Sequence, residues 1–190
     1  MNTNLAYKDE HPTELINGKI VMMSPSPVTN HIQTAGNIYH IFRQYLKGKR
    51  CRPFPDGEKV YLTAKDHFEP DMMVVCDREK VKPDGVHGAP DLVVEVLSPG
   101  TAKRDRGYKK DVYEKCGVKE YWLVSQAEKT IEQYLLQNGK FIMHEIYTLY
   151  PDFLVEKMTA EEKAELITEF KCSLYDDLII KLEDVFEDVN

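Results

Sequence analysis

The sequence predicts an α/β protein: a mixed β-sheet with helices packed on its faces. Three observations carry this. Apolar residues recur at helical spacing along one early stretch. They then gather in short β-forming runs mid-chain, and helix and strand signals alternate from there on. The 190 residues suit a single domain with its own core, and the chain beyond about residue 150 is expected to be a C-terminal extension of it.

Glu14-Leu-Ile-Asn-Gly-Lys-Ile-Val-Met-Met23 reads as a turn at Asn17-Gly18 joining two short elements, the second a strand. The prolines of Ser24-Pro25-Ser26-Pro27 predict a break. Residues 30–47 predict a helix, because Ile32, Ala35, Ile38, Phe42, Tyr45 and Leu46 fall on one face. Thr29 or Asn30 suits its cap, and Gly48 its end. Lys59-Val-Tyr-Leu-Thr63, Asp71-Met-Met-Val-Val-Cys76 and Leu92-Val-Val-Glu-Val-Leu97 are rich in β-formers. The last two are apolar on both faces, as central strands covered on both sides are. Thr101 is placed to cap a second helix reaching about Cys116, with Gly117 as its stop. Glu120-Tyr-Trp-Leu-Val124 is a further buried strand, and residues 130–136 and 140–146 flank Asn138-Gly139 as a hairpin. A short helix over 160–167 and a strand over 178–182 finish the chain.

Composition narrows the function classes. No apolar run approaches the roughly 20 residues of a membrane span, so no membrane partner is expected. Met1-Asn2-Thr3-Asn4 opens without a charged and then apolar segment, so no secretory signal is expected. Cys51, Cys76, Cys116 and Cys172 are scattered, with no Cys-x-x-Cys pair. They indicate neither a zinc site nor a disulfide framework, and isolated thiols fit a cytoplasmic location. A net charge of −7 opposes indiscriminate nucleic-acid binding but leaves room for a local basic groove. Lys47, Lys49, Arg50 and Arg52 form one candidate cluster, and Lys103, Arg104, Arg106, Lys109 and Lys110 another. Both also read as a solvated helix end and a solvated helix face. The pattern of a P-loop is missing, as is Gly-x-Ser-x-Gly. Ser98-Pro99-Gly100-Thr101 is a strand-to-helix turn whose amides are candidates to receive a phosphate.

The chemistry concentrates on acids within apolar strands. Asp91 and Glu95 share one side of a strand but lie about 13 Å apart, too far to ligate one ion together. Asp91, at the strand entrance after Pro90, reads as structural. Glu95 has valine on either side, and a carboxylate there needs a partner. Asp71, at the start of the preceding strand, supplies one if the strands are neighbours. Together they would suit Mg²⁺ (or Mn²⁺), which takes one or two carboxylates plus waters and phosphate oxygens. The alternative is a core ion pair between Glu95 and Lys109. Asp105, Lys109 and Tyr113 lie on one helical stripe. It is either a surface pairing or a stripe that aims Lys109 at a phosphoryl group or the attacking water. His31 and Glu14 are weaker candidates, as an anion contact and as a further ligand or base.

These residues resemble the Uma-two family of restriction-endonuclease-like proteins, in the PD-(D/E)XK nuclease superfamily. The resemblance runs through Glu14-Leu-Ile-Asn-Gly18, Pro25 to His31, Pro70-Asp71 and Ala89-Pro-Asp-Leu-Val-Val-Glu-Val-Leu-Ser-Pro-Gly-Thr101. It continues through Asp105-Arg106, Lys109, Tyr113, Gly117-Val-Lys-Glu-Tyr-Trp122 and the tail from Asp177 to Phe186. It implies a restriction-endonuclease-like central sheet flanked by helices and a Mg²⁺-dependent DNA endonuclease. Asp71 and Glu95 would be its metal ligands, Lys109 its lysine, and Glu14 its N-terminal acid. Asp105, Tyr113, His31 and Ser98 would support them. The superfamily lysine stands two residues after the glutamate, where this chain has Leu97, so Lys109 on the next helix replaces it. A homodimer through the hairpin and C-terminal strand would suit a two-stranded substrate. The competing reading is a non-catalytic nucleic-acid-binding or protein-assembly module on the same fold.

Overall fold

The structure, a computed structural model, describes residues 13–23 and 28–190. The break read at 24–27 and the N-terminal stretch read for a signal lie outside them. β1 (Thr13–Ile16) and β2 (Lys19–Met22) form a hairpin, and α1 (Thr29–Tyr45) follows. β3 (Arg52–Pro55), β4 (Val60–Thr63), β5 (Asp66–Phe68) and β6 (Met72–Val75) come in quick succession. β7 (Val81–Lys82) and β8 (Gly85–His87) precede β9 (Leu92–Val96). The next helix is built from α2 (Ala102–Arg104), a π-turn (Asp105–Lys109) and α3 (Lys110–Cys116). β10 (Glu120–Ser125), β11 (Thr130–Gln137) and β12 (Lys140–Thr148) are successive antiparallel neighbours. α4 (Asp152–Val155), α5 (Ala160–Ala164), β13 (Glu169–Lys171), β14 (Ile179–Lys181) and α6 (Leu182–Val185) complete the chain.

The expected mixed central sheet has the order β12-β11-β10-β9-β6-β3. Its β9–β10 pair is parallel and the others are antiparallel. A second sheet, β2-β1-β5-β4-β8-β7, was not separable from it by pattern. The central strands carry apolar residues on both sides because both sides are covered. On one side Met72, Val74, Leu92, Val94, Val96, Trp122 and Val124 meet Ile38 and Phe42 of α1 and the C-terminal Phe170, Ile180, Leu182, Val185 and Phe186. On the other, Met73, Val75, Val93, Tyr121 and Leu123 meet Val60, Phe68 and Val86 of the second sheet and Val112 and Tyr113 of α3. Each fully buried aliphatic or aromatic side chain contributes about 1.5–3 kcal/mol. No helix among the described residues is long and apolar enough to cross a membrane.

The C-terminal part is fastened through Glu120. This fully buried carboxylate accepts from Trp122 Nε1 at 2.6 Å, Gln133 Nε2 at 2.6 Å and the Ser173 amide at 2.8 Å. A buried acid is tolerable when its oxygens are occupied in this way.

Three local expectations are corrected. Neither Thr29 nor Asn30 caps α1: the cap position is Val28, in extended conformation, and the Asn30 amide reaches the Asn190 carbonyl instead. Thr101 does not cap α2, since its hydroxyl is engaged by Ser98. The cysteines are not all isolated, because Cys51 and Cys76 form a disulfide. The β3–β6 register, with Arg52 opposite Val75, puts these two distant residues face to face. Cys116 and Cys172 are free thiols. Gly117 ends α3 with φ +88, a left-handed conformation that suits glycine.

Asp66 ties three segments together. It accepts from the Asn17 amide at 2.9 Å, the Thr63 hydroxyl at 2.7 Å and the Tyr108 hydroxyl at 2.8 Å. Burial works to raise its pKa, but these bonds outweigh it and hold the carboxyl below its usual value. Asp66→Asn is expected to lower stability by about 1.5–3 kcal/mol, the worth of hydrogen bonds to a charged group. Chemical denaturation from neutral to acid pH checks the sign. A depressed folded-state pKa stabilises above the ordinary carboxylate value, and the advantage over Asn disappears as pH falls through the folded value.

Candidate active site

β6 and β9 run antiparallel with Met73 opposite Val93 and Met72 opposite Val94. One further step of that register sets Asp71 beside Glu95. Both side chains project on the side of Met73 and Val93, toward the second sheet. The two acids singled out from the sequence are therefore on one face. Asp91 falls where expected: it accepts from the Cys76 amide at 2.7 Å and pairs with Lys119 at 2.7 Å, away from the site.

Lys109 stands at the centre of the acids. Its ammonium lies 2.8 Å from Glu14 Oε1, 2.9 Å from Glu95 Oε1 and 3.7 Å from Asp105 Oδ1. Lys109, Glu95 and Glu14 are each only 4% exposed. Glu14 comes from β1, Glu95 from β9 and Asp105 from the π-turn. π-turns are rare and often mark functional sites. Burial opposes the charge on Lys109, but Glu95, Glu14 and Asp105 more than overcome it and hold the amine protonated. One ammonium shared among three acids does not compensate them all. Burial, followed by the charges of Asp105, Asp71 and Glu14, pushes Glu95 well above the usual carboxylate range despite Lys109. Burial likewise raises Asp105, against the pull of Lys109. The core ion pair weighed against the metal site is thus present, within the site itself.

The supporting residues divide. Tyr113 donates to Glu95 Oε1 at 2.9 Å, next to Lys109. His31, in the first turn of α1, bonds Asp71 Oδ1 at 2.7 Å, and the Val96 amide donates to Asp71 Oδ2 at 2.6 Å. Burial alone would lower the His31 pKa, but the Asp71 bond and charge raise it. Ser98 faces inward, but its turn is closed on itself. The Ser98 amide and hydroxyl meet the Thr101 hydroxyl, and the Thr101 and Ala102 amides go to the Ser98 carbonyl. Those amides do not form the anticipated phosphate nest.

A cavity of about 260 Å³ opens over these groups, lined by Glu14, Asp56, Glu69, Asp71, Glu95 and Lys109 among others. Asp56, Glu69, Arg104 and Gln126 were not singled out as site residues. Glu69 directly precedes Pro70-Asp71, and its position next to the Asp was the available signal. It is buried, which raises its pKa against the pull of Lys59 3.5 Å away. The basic clusters do not form one groove. Arg106 pairs with Glu132 at 2.7 Å, Lys110 covers the Tyr134 ring, and Arg50 and Arg78 bond the carbonyls of Cys76 and Arg50. Only Arg104 and Lys109 of the second cluster line the cavity.

The family model of Uma2, "Putative restriction endonuclease", matches residues 4–167. The chain belongs to the Uma2 family. The uncharacterised protein slr1290 of Synechocystis sp. is 31% identical over 123 residues. The match covers 64% of each chain, so this sequence spans about two thirds of that relative's length. A crystal structure described as that of a putative nuclease belonging to DUF820, from Anabaena variabilis, superposes with a TM-score of 0.69 at 22% identity. It covers 93% of this chain and 90% of that one, which establishes the likeness in fold.

Lys109→Met would leave Glu14, Glu95 and Asp105 buried without their shared cation. The expected loss is about 3–5 kcal/mol of stability, the usual effect of removing one partner of a buried pair. Tyr113→Phe removes one bond to a charged group and should lose about 1.5–3 kcal/mol. Urea unfolding at neutral pH would measure both, with Lys109→Met the larger.

Proposed function

We propose that this chain is a metal-dependent nuclease that hydrolyses phosphodiester bonds in DNA. The observation that carries the proposal is the placement of Asp71 and Glu95 side by side on one face of the central sheet, under a cavity with excess carboxylate. Membership of the Uma2 family supports the reaction class.

The donor set suits a hard divalent ion. Both bonds to Glu95 among the described residues fall on Oε1, and Asp105 Oδ1 is buried without a hydrogen-bond partner. Among the described residues no three acidic, histidine or cysteine side chains already converge on one ion position. Mg²⁺ does not require that, since one or two carboxylates complete its shell with water and phosphate oxygens. Asp71 and Glu95 would hold Mg²⁺ or Mn²⁺, with Glu14 as a further ligand. Bound there, the ion would polarise the phosphate and lower the pKa of a water. Hydrolysis adds water to phosphorus and breaks one P–O ester bond, and the leaving sugar oxygen takes up a proton. The chain's part is positional: Lys109 and Tyr113 fix Glu95, Asp105 fixes Lys109, and His31 orients Asp71. A homodimer would bring two such sites to the two strands of a duplex.

A non-catalytic binding module is the second reading. It is favoured by Asp71, whose two oxygens are already engaged by His31 and Val96. Plasmid cleavage with Mg²⁺ or Mn²⁺ separates the two. The nuclease reading expects wild-type nicking and a loss of at least about 100-fold in Asp71→Ala and Glu95→Ala, the several kcal/mol a metal ion supplies. Cleavage by Glu95→Ala at the wild-type rate would remove the assignment. Mg²⁺ should also raise the thermal midpoint of the wild type by mass action, and leave that of Asp71→Ala unmoved.

A further inference from the structure

We infer that Arg104 is the substrate-binding cation of this site and takes a non-bridging oxygen of the scissile phosphate. The inference rests on the nuclease reading and deepens it by naming a group that touches the substrate.

The cations around the cavity show why. Lys109, the expected phosphate contact, has three N–H donors and lies against three carboxylates. Turning it to a phosphate would strip Glu14, Glu95 and Asp105 of their shared counter-charge. Lys59 faces Glu69, and His31 faces Asp71. Arg104 lines the same cavity, is half-buried, and among the described residues forms no salt bridge and no side-chain hydrogen bond. A guanidinium left free beside so many carboxylates keeps its fork of N–H groups available. That fork matches two oxygens of a phosphate in a way an ammonium does not.

The position is also suitable. β9 and β10 run parallel, so their carboxyl ends open at the same edge of the sheet. Val96 ends β9 and Ser98, Pro99 and Thr101 follow it into the cavity wall, and Gln126 follows β10. Ligands of α/β sheets gather at such carboxyl ends. The cavity thus has an acid wall, from Asp71 and Glu95, and a second wall whose cation, Arg104, has no ion-pair partner among the described residues. A phosphodiester held at the metal ligands would present its outer oxygens to that second wall. The Ser98–Thr101 turn does not offer its bonded amides, so the positive charge for those oxygens comes from Arg104.

The test compares the wild type with Arg104→Ala and Arg104→Lys. Thermal midpoints of all three should agree, because Arg104 has no ion pair among the described residues to lose. With Mn²⁺ and an oligonucleotide substrate, Arg104→Ala should lower kcat/KM by about 10²–10³-fold, as loss of one donor to a developing oxyanion does. Arg104→Lys should recover part of it. A binding arm is independent of turnover: fluorescence anisotropy with a phosphodiester oligonucleotide and its uncharged methylphosphonate counterpart, in Ca²⁺. The wild type should prefer the charged strand, and Arg104→Ala should lose the preference. If the wild type cleaves and Arg104→Ala cleaves equally well, the Arg104 assignment is overturned and the nuclease reading stands. An unchanged preference for the charged strand in Arg104→Ala overturns it likewise. If the wild type neither cleaves nor binds either strand, both readings fall together.

Discussion

The ammonium of Lys109, closed among Glu14, Glu95 and Asp105, is the interaction on which the molecule turns. These acids come from two different sheets and a helix, and no element could bring its own charge indoors alone. Moving a carboxylate out of water costs several kcal/mol even after relaxation. The central cation makes docking of the first hairpin onto the main sheet tolerable. The same contact fixes the helix after β9, since Asp105 and Lys109 are turned inward together by the π-turn. Tyr108 within that turn reaches Asp66, and Tyr121 holds the Asp105 carbonyl. Packing could place these segments roughly. The ion cluster sets their distances.

That arrangement leaves the cavity electrostatically unfinished. Among the described residues five carboxylates line it, Glu14, Asp56, Glu69, Asp71 and Glu95, and one lysine serves two of them. Burial raises the pKa of Glu95, Asp105 and Glu69, so the folded chain holds protons or cations there more readily than separate carboxylates would. A protein with a net charge of −7 does not attract a polyanion over its whole surface. A divalent cation taken up at this one cavity would reverse the charge locally and make the proposed anionic substrate compatible with it. Arg106 and Lys110, taken up by Glu132 and by the Tyr134 ring, point the same way.

Much of this was legible in the residues. Glu95 between valines, and Asp71 at the head of an apolar run, stood out because charge is rare in such strands. Glycines at helix ends and the Asn138-Gly139 hairpin were also readable, since they follow local rules. What could not be read depends on register. Neither the pairing of Cys51 with Cys76 nor the meeting of Asp71 with Glu95 is fixed by spacing along the chain. Both follow from the neighbours of β6, β3 on one side and β9 on the other. The cluster from Lys103 to Lys110 looked uniform, yet the π-turn sends Lys109 inward and Arg106 outward. Arg104 looked like one charge of several, because its lack of a partner among the described residues is a property of the fold alone.

The Uma2 match stops at residue 167, two residues short of β13. The segment after it is no trailing appendage. Phe170 stacks on Tyr147 and meets Trp122 edge-on, and Ser173 joins the donors around Glu120. Phe170, Ile180, Leu182, Val185 and Phe186 cover one side of the central sheet together with Ile38 and Phe42, opposite the face that carries Asp71 and Glu95. Trimming the chain at residue 167 would strip that floor and leave Glu120 without Ser173. The unit of folding is therefore longer than the stretch the family model matches, and a fragment cut there would expose the underside of its own sheet.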